Sequence, residues 1–199
     1  YPLGALPSRF RRPRVLIVGC GDVGLRAAVL LKNGSRVYAL TSSASRVSEL
    51  HQQGITAIKG NLDEPATLRR LAGVATHLIH MAPPPLQGRS DPRTRALVQA
   101  LQLRSSPQTV VYGSTSGVYG DCAGAWIDET QFLSPQTDRA QRRVDAEAWL
   151  NAWGSRGFPR IHVLRIPGIY ALDREGGTPR ERLQRSTPVL QASDDVYTN

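Results

Sequence analysis

The sequence predicts an α/β fold: a doubly wound parallel sheet in three layers, with helices on both faces. Three observations carry that prediction. A short aliphatic strand runs directly into a glycine-rich turn and a helix within residues 14–31. Five further strand-like runs follow, each separated from the next by a helical segment or a long connection. No apolar run approaches the roughly 20 residues needed to cross a bilayer. A content of 40% hydrophobic and 21% charged residues is that of a globular domain.

The elements follow in order. Val15 to Val18, β-branched and aliphatic, read as a buried strand. Gly19, Gly21 and Gly24 then give G-x-G-x-x-G, and residues 25–31 continue as a helix. Gly19 permits a tight turn, Gly21 lets backbone approach a pyrophosphate, and Gly24 lets helix and strand pack closely. The helix N-terminus turns free N–H groups toward the anion, with Asp22 and Val23 in the same loop. Residues 36–40 are the second strand. A helix over 43–53 has Ser43 or Ser45 available as N-cap and Gly54 just past its end. Residues 55–59 form the third strand, 61–65 a turn and 66–71 a short helix. The fourth strand, 77–81, is stopped by the prolines at 83–85. The helix over 91–103 carries Leu97, Val98 and Leu101 at helical spacing. The fifth strand spans 109–112, and a long loop spans 113–135. The helix over 136–153 has Ala140, Val144, Ala148 and Trp149 on one side, and the sixth strand spans 160–165.

In such a sheet, ligands bind beyond the carboxyl ends of the strands. At the end of the second strand, an acidic residue would bind the adenosine ribose hydroxyls. This chain has Thr41, Ser42 and, further on, Arg46 instead. No carboxylate stands there to repel a 2′-phosphate, and hydroxyls with a guanidinium suit one. NADP(H) is therefore expected ahead of NAD(H).

The net charge of +9 is carried almost wholly by arginine; Lys32 and Lys59 are the only lysines. The arginines are scattered, without an interleaved aromatic stripe, which points away from nucleic acid. Cys20 and Cys122 do not make a disulfide framework. Cys20 sits inside the glycine loop, where a bridge would obstruct a ligand, and a reducing, cytoplasmic compartment fits. His51, His77 and His162 show no ligand spacing, so no metal site is expected. His80 reads as a packing residue at a strand end.

Five strand-end segments resemble the short-chain dehydrogenase/reductase superfamily, in its extended form related to sugar-nucleotide epimerases and dehydratases. They are the glycine loop, Gly60-Asn61-Leu62, His80-Met81-Ala82-Pro83, Gly113-Ser-Thr-Ser-Gly-Val-Tyr-Gly120 and Leu164-Arg-Ile-Pro-Gly-Ile-Tyr170. The resemblance implies a Rossmann-type NAD(P)-binding domain over residues 14–170. Residues 1–13 then form a flexible tail without a signal peptide, and 171–199 begin an incomplete substrate-binding region. It implies Asn61 and Leu62 beside the adenine and Met81, Ala82 and Pro83 along the middle of the cofactor. Pro167, Gly168 and Ile169 fall at the nicotinamide end.

In that family a Ser or Thr, a Tyr and a Lys do the proton work. Thr115 matches the first. The Tyr and Lys positions hold Arg139 and Arg143, aligned through Glu147. Arginine stays protonated and cannot act as a base. Arg143 can still hold a ribose or phosphate. Arg139 can bind an anionic substrate group or stabilise developing negative charge. Pairing of Arg143 with Glu147 along the helix is the plainer alternative.

The expected function is an NAD(P)-dependent oxidoreductase or epimerase-like enzyme acting on a small molecule, without nucleic acid or membrane as partner. The alternative is an NAD(P)-sensing module without turnover. Helices like those over 91–103 and 136–153 pair in relatives, which brings a homodimer within the expectation.

Overall fold

The computed structural model describes residues 12–157, 159–171, 173–174 and 179–184. Most of the expected tail, residues 1–11, and most of the expected substrate region, residues 172, 175–178 and 185–199, lie outside the described residues. The elements are β1 (Arg14–Val18), α1 (Asp22–Leu31), β2 (Arg36–Thr41), α2 (Ser45–Gln52), β3 (Thr56–Lys59), α3 (Pro65–Leu68), β4 (His77–His80), α4 (Pro92–Leu101), β5 (Thr109–Thr115), α5 (Asp138–Gly154), β6 (Arg160–Ile166) and α6 (Pro179–Gln184).

All six strands are parallel, in the order β3-β2-β1-β4-β5-β6. The order reverses between β1 and β4, which opens a crevice at their carboxyl ends. β1 is central, and its alternating side chains serve both faces. Leu16 and Val18 join a core with Leu97, Leu101, Leu150 and Trp153, from α4 and α5. Val15 and Ile17 join a second core with Ala28 of α1 and Leu50 of α2. Burial on both faces explains the uninterrupted aliphatic run.

Several local expectations are corrected. Neither Ser43 nor Ser45 caps α2. Ala44 occupies the cap position, and the two hydroxyls bond each other at 2.7 Å. α4 begins at Pro92, because Asp91 accepts hydrogen bonds from the Arg93 and Thr94 amides. The expected loop over 113–135 is partly ordered backbone. β5 continues to Thr115 and a 3-10 turn spans Ser116–Tyr119.

The expected apolar side of α5 is not the buried one. Ala148 is exposed, and the buried stripe holds Ala140, Ala146, Leu150 and Trp153 together with Arg142 and Glu147. Polar partners permit this orientation. Arg142 Nη1 donates to the Gly88 carbonyl, and Glu147 accepts from Ser114 and Arg165. Trp149 lies half-buried under the Arg95 guanidinium, 5.0 Å from its ring.

Candidate functional site

The glycine loop leaves β1 at the crevice. Gly19 has φ of +87°, and a Cβ there would collide with the Ala82 amide nitrogen. The Met81 and Ala82 amides both donate to the Val18 carbonyl, at 2.7 and 3.0 Å, which welds this turn to the end of β4. A Cβ on Gly24 would lie 2.6 Å from the Gly19 carbonyl oxygen. Gly21 differs: a Cβ there would meet nothing within 4 Å. Gly21 is the N-cap residue of α1, whose first-turn N–H groups lack partners within the helix at its positive end. Beside them Cys20 is buried. Burial pushes its thiol pKa up, against the nearby Arg46 guanidinium and with the help of Glu49. Arg46 also pairs with Glu49 at 3.4 Å.

Asp22 would repel a phosphate if it stood alone. It is neutralised by Arg26 at 2.9 Å and by Arg174 at 3.3 Å. Arg26 also holds Asp173 at 3.0 Å, and Arg174 donates to the Ile169 carbonyl at 2.6 Å. The segment after β6 is thereby tied to the start of α1.

A concavity of about 330 Å³ lies at the β2–β3 ends and includes Ser42 and Asn61. Asn61 Oδ1 accepts from the Asp63 amide at 3.1 Å, and its Nδ2 donates to Glu64 at 3.0 Å. Leu62 packs against the α4–α5 core. Arg93 reaches across from α4 and grips Asp63 with two hydrogen bonds, 2.7 and 2.6 Å, while donating to the Pro83 carbonyl. That grip holds the Asp63 carboxyl below the usual carboxylate range.

A second cleft, of about 370 Å³, lies over β4, β5 and β6. It gathers Val23, Met81, Thr115, Arg139 and Arg143 with Pro167, Gly168 and Ile169, and it adds Arg174. The remaining expected residues, among them Gly19, Thr41 and Arg46, line neither of these hollows. Arg143 Nη1 donates to the Tyr112 hydroxyl at 3.0 Å and to the Gly113 carbonyl at 2.8 Å. Arg139, one turn earlier, is exposed and has no hydrogen-bond or ion-pair partner among the described residues. Thr115 Oγ1 accepts from the Gly117 amide at 3.3 Å. No aspartate, glutamate, histidine, lysine or tyrosine lines this cleft among the described residues.

A polar layer lies beneath it. Thr94 donates to Asp91 at 2.7 Å, so its oxygen accepts from His80 Nε2 at 2.8 Å. Complete burial, with the charge of Arg143 nearby, lowers the His80 pKa to about 3, so the ring is neutral. Tyr112, also fully buried, is pushed up to about 12 by burial.

The plain helix pairing of Arg143 with Glu147 does not form. Glu147, 2% exposed, accepts from Ser114 at 2.5 Å and pairs with Arg165 at 2.9 Å. Arg165 also donates to the Tyr119 hydroxyl at 2.8 Å. Ser114, Arg165, Arg174 and the Asp63–Arg93 pair escape the sequence reading. Only the segments around them carried a signal there. Beyond Arg165, against the outer side of β6, a hollow of about 840 Å³ includes Tyr119, Asp128 and Glu129.

A family profile described as the TrkA-N domain matches residues 15–84, from β1 to just past β4. A functionally unknown conserved protein from Silicibacter pomeroyi DSS is 29% identical, with TM-score 0.65 over 79% of this chain and 53% of its own. The UDP-N-acetylglucosamine 4-epimerase of Methanobrevibacter ruminantium M1, in complex with UDP-N-acetylmuramic acid, gives TM-score 0.70 at 18% identity. It is matched over 85% of this chain and 59% of its own. The fold is of the Rossmann type. The UDP-glucuronic acid 4-epimerase of Bacillus cereus, in complex with UDP-glucuronic acid and NAD, shares that fold, with TM-score 0.67 at 18% identity. It is matched over 85% of this chain and 61% of its own. The chain thus spans little more than half the length of these structures. No curated protein matches it. Among the described residues, no helix is long and apolar enough to cross a membrane, and no cluster of His, Cys, Asp and Glu could hold a metal.

Proposed function

We propose that this chain binds NADP(H) or NAD(H) across the crevice, as the dinucleotide-binding part of an oxidoreductase or epimerase-like enzyme. Gly21 carries the reading. Within one motif, two glycines are packed against backbone and the third faces open space at a helix N-terminus. That is the arrangement a pyrophosphate requires. In this reading the adenosine lies at Ser42, Asn61 and Leu62, and Thr41 and Arg46 stand at the ribose. The nicotinamide end enters the cleft of Thr115, Arg143 and Pro167. Arg143, fixed by Tyr112 and Gly113, supplies donors to a ribose where relatives of this type use lysine. NADP(H) is the preferred form, since the ribose end offers hydroxyls and Arg46, although Glu49 competes for that guanidinium.

When bound, the dinucleotide supplies a hydride donor or acceptor. The chain's own share is to position it, exclude water and stabilise negative charge through Arg139 and Arg143. The absence of a titrating side chain along the described cleft favours a second reading, a cofactor-sensing module without turnover. The enzyme reading further takes a small-molecule substrate, a cytoplasmic setting in keeping with the Cys20 and Cys122 thiols, and α4–α5 pairing into a homodimer.

The test uses Gly21→Ala. Its backbone, φ −81° and ψ −150°, accepts alanine, and the added methyl meets no protein atom. The thermal midpoint stays within about 2 °C of the parent. Titration with NADPH and NADH, followed by fluorescence, weakens at least tenfold. Unchanged affinity for both would remove the pyrophosphate from this loop.

A further inference from the structure

The cleft over β5 and β6 has an unusual charge balance. Three guanidiniums line it, those of Arg139, Arg143 and Arg174, and no carboxylate does among the described residues. Two of the three are anchored. Arg143 is held through Nη1 by Tyr112 and Gly113, and Arg174 by Ile169 and Asp22. Arg139 keeps all five of its donors. A guanidinium holds its charge at any physiological pH. The field inside a concave, single-signed cleft concentrates counter-ions.

Building on the dinucleotide reading, we infer that the substrate carries a carboxylate or phosphate group, held by Arg139. The dinucleotide does not satisfy this side chain itself. Its pyrophosphate belongs at Gly21, on the side where Arg174 is already tied to Asp22. Arg143 stands one helical turn further into the protein, at the ribose. Arg139 stands one turn nearer the start of α5 on the same helix face, and it is exposed. A neutral carbonyl compound would leave the cleft's excess charge unanswered. A planar carboxylate or a phosphate oxygen pair accepts two parallel N–H bonds from one guanidinium.

The experiment compares the parent chain with Arg139→Gln and Arg139→Lys. NADPH affinity is measured first, and it changes less than threefold in either variant. Malonate, inorganic phosphate and uncharged malonamide are then titrated calorimetrically, with and without saturating NADPH, at low ionic strength. Malonate or phosphate binds at least tenfold tighter than malonamide, Arg139→Gln removes at least tenfold of that preference, and Arg139→Lys restores part of it. The tighter of the two anions identifies the group as carboxylate or phosphate. Equal binding of malonate, phosphate and malonamide overturns the inference, as does an Arg139→Gln variant that binds both anions like the parent. If neither NADPH nor NADH binds the parent chain, the dinucleotide reading falls separately. The titrations on the free protein then still decide whether Arg139 holds an anion.

Discussion

The two halves of the crevice are built from different materials. On the β1 side the surface is backbone: a glycine turn, two amides donating to one carbonyl and the open end of α1. On the β5–β6 side it is side chain: arginines held by a buried tyrosine, a buried glutamate and a carbonyl. Backbone surfaces fit what is common to every dinucleotide. Side-chain surfaces can be exchanged one residue at a time, and here they present Arg139 and Arg143. Binding and chemistry can therefore diverge within one domain, because they rest on separable structures.

The sharpest way to break this contrast is on the side-chain half. Glu147→Ala removes the buried carboxylate from the Arg165 guanidinium, which edges the hollow of about 840 Å³, and from the Ser114 hydroxyl. Losing one partner of a buried ion pair costs about 3–5 kcal/mol. Urea unfolding should register that loss, and a cost below about 1 kcal/mol would make the network incidental. Next comes the backbone half. Gly19→Ala combines a positive φ with a collision against Ala82, and together these cost about 3 kcal/mol. Its unfolding midpoint should fall well below that of Gly21→Ala; similar midpoints for the two would erase the distinction between a packed and an open glycine.

The smallest effect over the range measured lies beneath both halves. The His80 pKa in the folded chain, about 3, is below its ordinary 6.5. As pH falls, the unfolded chain takes up the proton and the folded chain does not. Through this group stability drops by about 1.4 kcal/mol per pH unit between pH 6.5 and about 3, and it is constant above that window. His80→Gln, which can still donate to Thr94, should show a shallower acid slope in urea midpoints measured from pH 7 to 4.5. Parallel slopes would mean that the ring titrates normally.

The same division explains what was legible in the sequence. The strands and the glycine loop follow from residues within a few positions of one another. Val15 to Val18 must be buried on both faces, and Gly24 must touch its own strand. The orientation of α5 follows instead from Arg142 reaching Gly88, 54 positions away, and Glu147 reaching Ser114, 33 positions away. Apolar periodicity is blind to such partners. The cap of α2 failed for a related reason, since Ser43 and Ser45 found each other before they found the helix. Arg139 and Arg143 were locatable through Glu147, but the partners of Arg143 and Glu147 lie on β5 and β6.

Met81 draws one more consequence from the crevice. It is the chain's single methionine, and its sulfur packs so closely on β5 that a Cβ at Gly113 would lie 2.5 Å from it. The glycine face of the sulfur has no room for an added atom. Oxidation to the sulfoxide must therefore place the new oxygen away from Gly113, which converts a soft apolar contact into a polar, chiral one at the edge of the cleft. Among the chain's thioethers peroxide therefore has one target, beside the cleft that holds the arginines.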